Sequence, residues 1–173
     1  GHGGSFVLSR MNENGFETEI SPSQLCTMLN RQVYHSTAVE KYATMFLGIY
    51  DGESRKLTYC NAGHLPPLLL GSDGSVRRLE NGGSVVGLID GLSYQESQVS
   101  LRAGDIFIAY SDGITEPENE FGEFGEERLI QLVRENQHLP LQRIAELAVA
   151  AVKDWIGGNE QPDDVTIVLA RLR

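Results

Sequence analysis

The sequence predicts an α+β fold, a layered sandwich of antiparallel β-sheets flanked by helices. Three observations carry this expectation. Apolar residues alternate with period two through the middle of the chain, between short turn signals, which is the pattern of half-buried strands. Apolar residues recur at helical spacing before that stretch and again after it. The helices are thus segregated around the strands instead of alternating with each one, as an α+β layering requires.

Taken in order, Phe6, Val7 and Met11 share one side of a helix, so a short helix is expected within Ser5 to Asn12. Ser21-Pro22-Ser23-Gln24 reads as a capping box, with Ser three residues before Gln and Pro at the first helical position. Leu25, Met28, Leu29 and Val33 continue at helical spacing and carry that helix to about His35. Met45, Leu47 and Ile49 alternate with Phe46, Gly48 and Tyr50. Asp51-Gly52 then turns the chain, and Leu57 and Tyr59 resume the alternation, which predicts a hairpin. Pro66 to Leu70 and Ser75 to Leu79 flank a second turn at Ser72-Asp73-Gly74. Ser97 to Leu101 and Asp105 to Tyr110 form a further pair around Ala103-Gly104, completing a β-meander. After Gly125, Leu129, Leu132 and Val133 share a helical face, with Glu126 and Glu127 favourably placed in the first turn. Ile144, Leu147, Ala148, Ala151, Val152 and Trp155 define the next helix, which Gly157-Gly158 can end in the left-handed region. A last strand, Val165 to Leu169, leaves Asp163-Asp164. Trp155 and the methionines are expected in the core.

Length and charge narrow the function. A chain of 173 residues, 40% of them hydrophobic, fits a single domain over 1–173 with a substantial core. The formal net charge is -10, and Lys and Arg cluster only at Arg77-Arg78. That balance disfavours nucleic acid and anionic membrane surfaces as partners. Cys26 and Cys60 show no metal-ligand spacing and are too few for a disulfide framework, so both read as small core residues in a reducing compartment. The apolar runs are too short to span a bilayer and no secretory signal opens the chain, so a cytoplasmic location without membrane insertion is expected.

Chemistry concentrates at two acidic segments. In Tyr110-Ser111-Asp112-Gly113-Ile114-Thr115-Glu116, a carboxylate stands where the apolar run Ile106-Phe107-Ile108-Ala109 breaks into a loop. Asp163-Asp164 borders the strand-like run Val165-Thr166-Ile167-Val168-Leu169. Carboxylates held at the ends of core strands suit a hard divalent cation such as Mg²⁺ or Mn²⁺, which takes oxygen ligands on rigid elements. Each segment also has a plainer reading, Asp112-Gly113 as a turn dipeptide and Asp163-Asp164 as a solvated loop. Glu116 is either a second acidic group of the site or surface. His64, in Asn61-Ala62-Gly63-His64-Leu65-Pro66-Pro67, is either a general acid or phosphate ligand, or a turn residue bonded to the backbone; the turn is favoured. Gly1-His2-Gly3-Gly4 reads as a phosphate-cradling loop or as a ragged end.

Four stretches taken together carry a resemblance. They are Asn61 through Pro67, Gly104-Asp105 through Glu116, Phe124-Gly125-Glu126-Glu127-Arg128-Leu129, and Asp163-Asp164-Val165-Thr166. In this order, the chain resembles the metal-dependent PPM-type (type 2C) protein serine/threonine phosphatases, in particular the bacterial SpoIIE-like branch. The resemblance implies helices flanking a β-sandwich, with two Mn²⁺ or Mg²⁺ ions at one edge activating a water against phosphoserine or phosphothreonine. By position it implies Asp112 and Asp163 as metal ligands and no catalytic residue beyond such ligands. Gly113, Asp164 and His64 are the supporting candidates, Asp164 as a residue that orients the site. It implies a phosphorylated regulatory protein as substrate, of the anti-sigma antagonist type, and an upstream sensor or receiver domain.

Gly1-His2-Gly3 resembles the tail of the family's opening motif, whose bridging Asp and preceding strands are not in the sequence. The chain is therefore expected to be the later part of a phosphatase domain. The alternative is a catalytically inactive phosphatase-like binding module or scaffold.

Overall fold

The computed structural model describes residues 21–36, 41–157 and 164–173, and the backbone of 5–10. In chain order the elements are β1 (Ser5–Arg10), α1 (Pro22–Ser36), β2 (Met45–Asp51), β3 (Lys56–Ala62), β4 (Leu68–Leu70), β5 (Val76–Arg78), β6 (Gly82–Gly83) and β7 (Ser97–Ser100). They continue with β8 (Ile106–Tyr110), α2 (Asp112–Thr115), β9 (Glu118–Asn119), β10 (Gly122–Glu123), α3 (Gly125–Asn136), α4 (Leu141–Ile156) and β11 (Ile167–Arg171). Mainly antiparallel sheets flanked by helices make the fold α+β, as the sequence predicts. By internal packing the chain divides into two compact units, Gly1–Pro66 with Leu79–Leu101, and Pro67–Arg78 with Arg102–Arg173.

In the first unit the predicted hairpin is present. β2 and β3 are antiparallel with Leu47 opposite Cys60, and β7 adds to β3 with Val99 opposite Leu57. The hairpin turn is wound by Asp51, whose carboxylate accepts from the Glu53 amide at 3.0 Å and the Ser54 hydroxyl at 2.5 Å. The Ser5 to Asn12 expectation is corrected, because Ser5–Arg10 is a strand, parallel to β2 with Phe6 opposite Phe46. So short a segment makes few helical hydrogen bonds for its nucleation cost, whereas the edge of β2 offers a partner to every second backbone group.

Helix α1 starts at the predicted capping box. The Gln24 side chain accepts from the Ser21 amide at 3.1 Å, and Ser21 Oγ accepts from the Gln24 amide at 3.4 Å. Its buried positions are Pro22, Cys26 and Asn30, with Leu29 and Val33 packed beside them. Met28 is 59% exposed, which corrects its assignment to the core. Cys26 and Cys60 are free and buried in one cluster with Ala62, Val86 and Tyr94. A hydrogen bond shared with Cys60, together with burial, holds the Cys26 thiol well above the ordinary thiol range.

The second unit is built on the sheet β11-β8-β4-β5, antiparallel throughout. All five residues of β8 are buried, since it is covered on both edges by neighbours and packed by helices. Leu129, Ile130 and Val133 of α3 and Ile144, Ala148 and Val152 of α4 close over Leu68, Leu70, Ile106 and Ile108. Gly157 ends α4 at φ 64, the positive value expected of the first glycine there; Gly158 lies outside the described residues.

The expected pairing of 97–101 with 105–110, and with it the β-meander, is also corrected. β7 pairs with β3 in the first unit, while β8 pairs with β4 and β11 in the second. The intervening turn is occupied differently from a hairpin. The Arg102 amide donates to Asp105 Oδ2 at 2.9 Å, the Gly104 amide to the Leu172 carbonyl at 2.9 Å, and the Leu172 amide to the Asp105 carbonyl at 3.0 Å. The Leu101 amide donates instead to the Arg55 carbonyl at 2.9 Å, and β8, paired on both edges by β4 and β11, has no ladder groups left for β7. Among the described residues no helix is long and apolar enough to cross a membrane.

Candidate metal centre

The site is set by one antiparallel pairing. Tyr110, the last residue of β8, lies opposite Ile167, the first of β11. The chain segments on either side of that pair, Ser111 to Thr115 and Asp164 to Thr166, therefore leave the sheet at the same edge. Three hydrogen bonds join them. The Ser111 amide donates to the Thr166 carbonyl at 3.0 Å, the Thr166 amide donates to Ser111 Oγ at 3.0 Å, and Ser111 Oγ donates to the Asp164 carbonyl at 3.0 Å.

Gly113 makes the approach close. A Cβ at this position would sit 2.4 Å from the Asp164 carbonyl oxygen and 2.9 Å from its carbon, well inside van der Waals contact. Glycine in the Asp-Gly dipeptide is thus required by the neighbouring strand end, beyond any preference for turns. Asp112 opens α2, half-buried, with Oδ1 accepting from the Gly113 amide at 2.9 Å. Ile114, fully buried, plugs this short turn into the core, and the Glu116 amide closes it onto the Asp112 carbonyl at 2.8 Å.

Behind the edge, a polar chain holds the end of β8. Tyr110 donates from its hydroxyl to Glu126 Oε2 at 2.5 Å, and Arg78 Nε donates to Glu126 Oε1 at 2.7 Å. Burial first, and the Glu126 carboxylate second, push the Tyr110 phenol well above its ordinary value, so it remains a donor. Glu126 belongs to the first turn of α3, so this network ties β8, β5 and α3 together.

The acidic residues on the two sides of this junction, Asp112 and Asp164, offer oxygen donors, which suit Mg²⁺ or Mn²⁺ better than a softer metal. Among the described residues no three His, Cys, Asp or Glu side chains gather closely enough to hold a metal. Asp163 and Gly1-His2-Gly3-Gly4 lie outside the described residues. Asp112, Gly113 and Asp164 are brought together. Asp164 itself is exposed, and what the structure uses of it here is the backbone carbonyl.

His64 is in the first unit, buried, in the turn that sequence reading favoured. Its amide donates to Asn61 Oδ1 at 2.8 Å, and its Nδ1 is 2.7 Å from the Leu65 carbonyl, which places the proton on Nδ1. Asn61 completes the turn by donating to the His64 and Leu79 carbonyls. Sequence reasoning missed Ser111 and the Tyr110–Glu126–Arg78 chain as determinants of the site. Ser111 and Glu126 stood inside stretches that carry the resemblance, but their partners come from remote parts of the chain.

Comparison with known proteins agrees with this architecture. Residues 3–173 match the family described as Stage II sporulation protein E (SpoIIE), and the chain belongs to that family. It is 32% identical over 130 residues to Protein IcfG of Synechocystis, spanning 73% of this chain and 20% of that protein. It is 29% identical over 159 residues to the phosphoserine phosphatase RsbU of Bacillus subtilis, spanning 90% of this chain and 46% of that protein. The chain thus corresponds to less than half the length of either relative. Among solved structures, the SiaA-PP2C domain of Pseudomonas aeruginosa superposes with a TM-score of 0.75 at 23% identity, covering 89% of this chain and 62% of that one. At that identity the likeness is one of fold.

Proposed function

We propose that this chain belongs to a metal-dependent protein serine/threonine phosphatase that acts on a phosphorylated regulatory protein in bacterial signalling. The observation that carries the reading is the junction of the Asp112 turn with the Asp164 strand end at one sheet edge. Membership of the SpoIIE family and the likeness to a phosphoserine phosphatase support it. Asp112 and Asp163 are the proposed ligands, Asp164 orients the segment, and Gly113 allows the two backbones to meet. When bound, a pair of Mn²⁺ or Mg²⁺ ions supplies Lewis acidity and lowers the pKa of the attacking water.

The chain's own contribution is rigidity. β8 is buried along its whole length, and a carboxylate two residues beyond a central strand cannot wander far from a fixed cation. His64 is held by its own turn and is assigned no proton transfer. The substrate is proposed to be of the anti-sigma antagonist type, with an upstream sensor or receiver domain controlling access.

The test is Mn²⁺-dependent phosphate release from a phosphoserine protein by the natural chain, including whatever precedes Gly1. Asp112→Asn is expected to lower turnover by at least about a hundredfold while leaving the circular dichroism spectrum intact, because a ligand is lost and the shape kept. Wild-type turnover in that variant sinks the assignment.

A further inference from the structure

We infer that Ser111 is a positioning residue whose hydroxyl latches the strand end at Asp164 to Thr166 onto the Asp112 turn and thereby sets metal affinity; this rests on the phosphatase reading above. Ser111 stands at the N-cap of α2, where a serine ordinarily bonds an amide of the helix's own first turn. Here it makes no such bond. Its backbone is extended, at φ -91 and ψ 164, and its hydroxyl is directed at the neighbouring strand end. There the oxygen both donates, to the Asp164 carbonyl at 3.0 Å, and accepts, from the Thr166 amide at 3.0 Å.

Both halves of a hydroxyl's hydrogen-bonding capacity are therefore spent across 53 and 55 residues of sequence. The consequence is specific to this position. Asp112 follows Ser111 directly, so one oxygen fixes the spacing between the backbone unit that carries this proposed ligand and the strand end at Asp164. The ladder bond from the Ser111 amide to the Thr166 carbonyl holds the strands together without the side chain. The hydroxyl is not needed for the fold; it selects the geometry at the edge. Outer partners of this kind typically change metal affinity about 10- to 100-fold when removed.

The test compares Ser111→Ala, Ser111→Val and Ser111→Thr in the full natural chain. An extended backbone accepts β-branched residues, so Val and Thr match in shape and differ in the hydroxyl. Two readouts are taken, neither of which is turnover: Mn²⁺ affinity by titration calorimetry, and exchange of the Thr166 amide in metal-free protein by nuclear magnetic resonance. Ser111→Ala and Ser111→Val are expected to weaken Mn²⁺ binding about tenfold or more and to speed Thr166 exchange, with Ser111→Thr close to wild type in both. Equal Thr166 exchange in all four proteins overturns the latch. Faster exchange with unchanged Mn²⁺ affinity overturns its role in positioning the metal. Wild-type protein that binds no Mn²⁺ overturns the phosphatase reading and this inference with it. Wild-type binding matched by Ser111→Val removes Ser111 alone.

Discussion

The second unit packs mainly aliphatic side chains, with Leu68, Ile106, Ile108, Leu129 and Ile144 meeting between one sheet and two helices, and Asp105 is its one buried polar residue among the described residues. The first unit buries a different mixture: Cys26, Cys60 and Ala62 are small, and Asn30, Asn61 and His64 are polar. Among the described residues of that unit, no buried side-chain nitrogen or oxygen lacks a hydrogen bond. One interior is held by surface removed from water, which is non-directional and grows with area. The other depends on each polar group keeping its partner, because an orphaned buried donor costs more than the average bond contributes. The carboxylate edge belongs to the aliphatic unit, where close packing makes a strand end stiff.

Breaking that contrast starts with β8. Ile108 is buried and lies opposite Leu68 on one side and Leu169 on the other. Ile108→Ala is expected to destabilise the protein by about 3–4 kcal/mol, combining lost transfer energy with a cavity that flanking strands cannot close. Urea unfolding measures it. A loss under about 1 kcal/mol, smaller than any well-packed site gives, removes the claim that this interior is rigid.

Asn30 probes the other interior. Its side chain donates to the Ile89 carbonyl at 2.9 Å and accepts from the Gly87 amide at 2.7 Å and the Tyr94 hydroxyl at 3.3 Å. Asn30→Ala is expected to cost about 2–3 kcal/mol by stranding the Gly87 amide. The sharper comparison is Asn30→Leu, which restores volume but no partner. If hydrogen bonding governs this unit, Leu is no better than Ala in the same urea experiment. A Leu variant as stable as wild type shows that the two interiors follow one rule.

These two interiors were unequally legible in the sequence. The helices α3 and α4 and the strand β8 announce themselves by period, since a large aliphatic core needs a continuous apolar stripe or run. The capping box at Ser21 and the turn at Asp51-Gly52 are local chemistry and were equally readable. What escaped reading depends on partners distant in the chain. Phe6 and Val7 suit a strand as well as a helix, and only the open edge of β2 decides between them. The split of β7 from β8 turns on the Gly104–Leu172 and Leu101–Arg55 bonds, which no local pattern encodes. At the site, Asp112 and Gly113 stood out by residue type, whereas the roles of Ser111 and Glu126 emerge only once Asp164 and Tyr110 are beside them.

The smallest expected effect separates the units by pH. Tyr94 is buried in the first unit, its one hydroxyl hydrogen shared between the Val85 carbonyl at 3.1 Å and Asn30 Oδ1 at 3.3 Å. Burial first, then the electrostatic influence of the neighbouring Cys26 and Cys60 thiols, pushes its phenol up to about 12 from 10.0. A pKa raised by folding means the native state holds the proton more tightly. That stabilisation is complete below the unfolded value near 10 and is lost as the pH rises through about 12. Tyr94→Phe is expected to cost about 1 kcal/mol at neutral pH, where the hydrogen bonds are intact. Between pH 10 and 12 the wild type should lose that advantage and fall below the variant, since Phe has no proton to surrender. Urea midpoints for the pair, taken across that range, decide it. Parallel curves mean that Tyr94 is no more burdened by burial than a surface tyrosine, and that the polar interior of the first unit admits more water than its hydrogen bonding suggests.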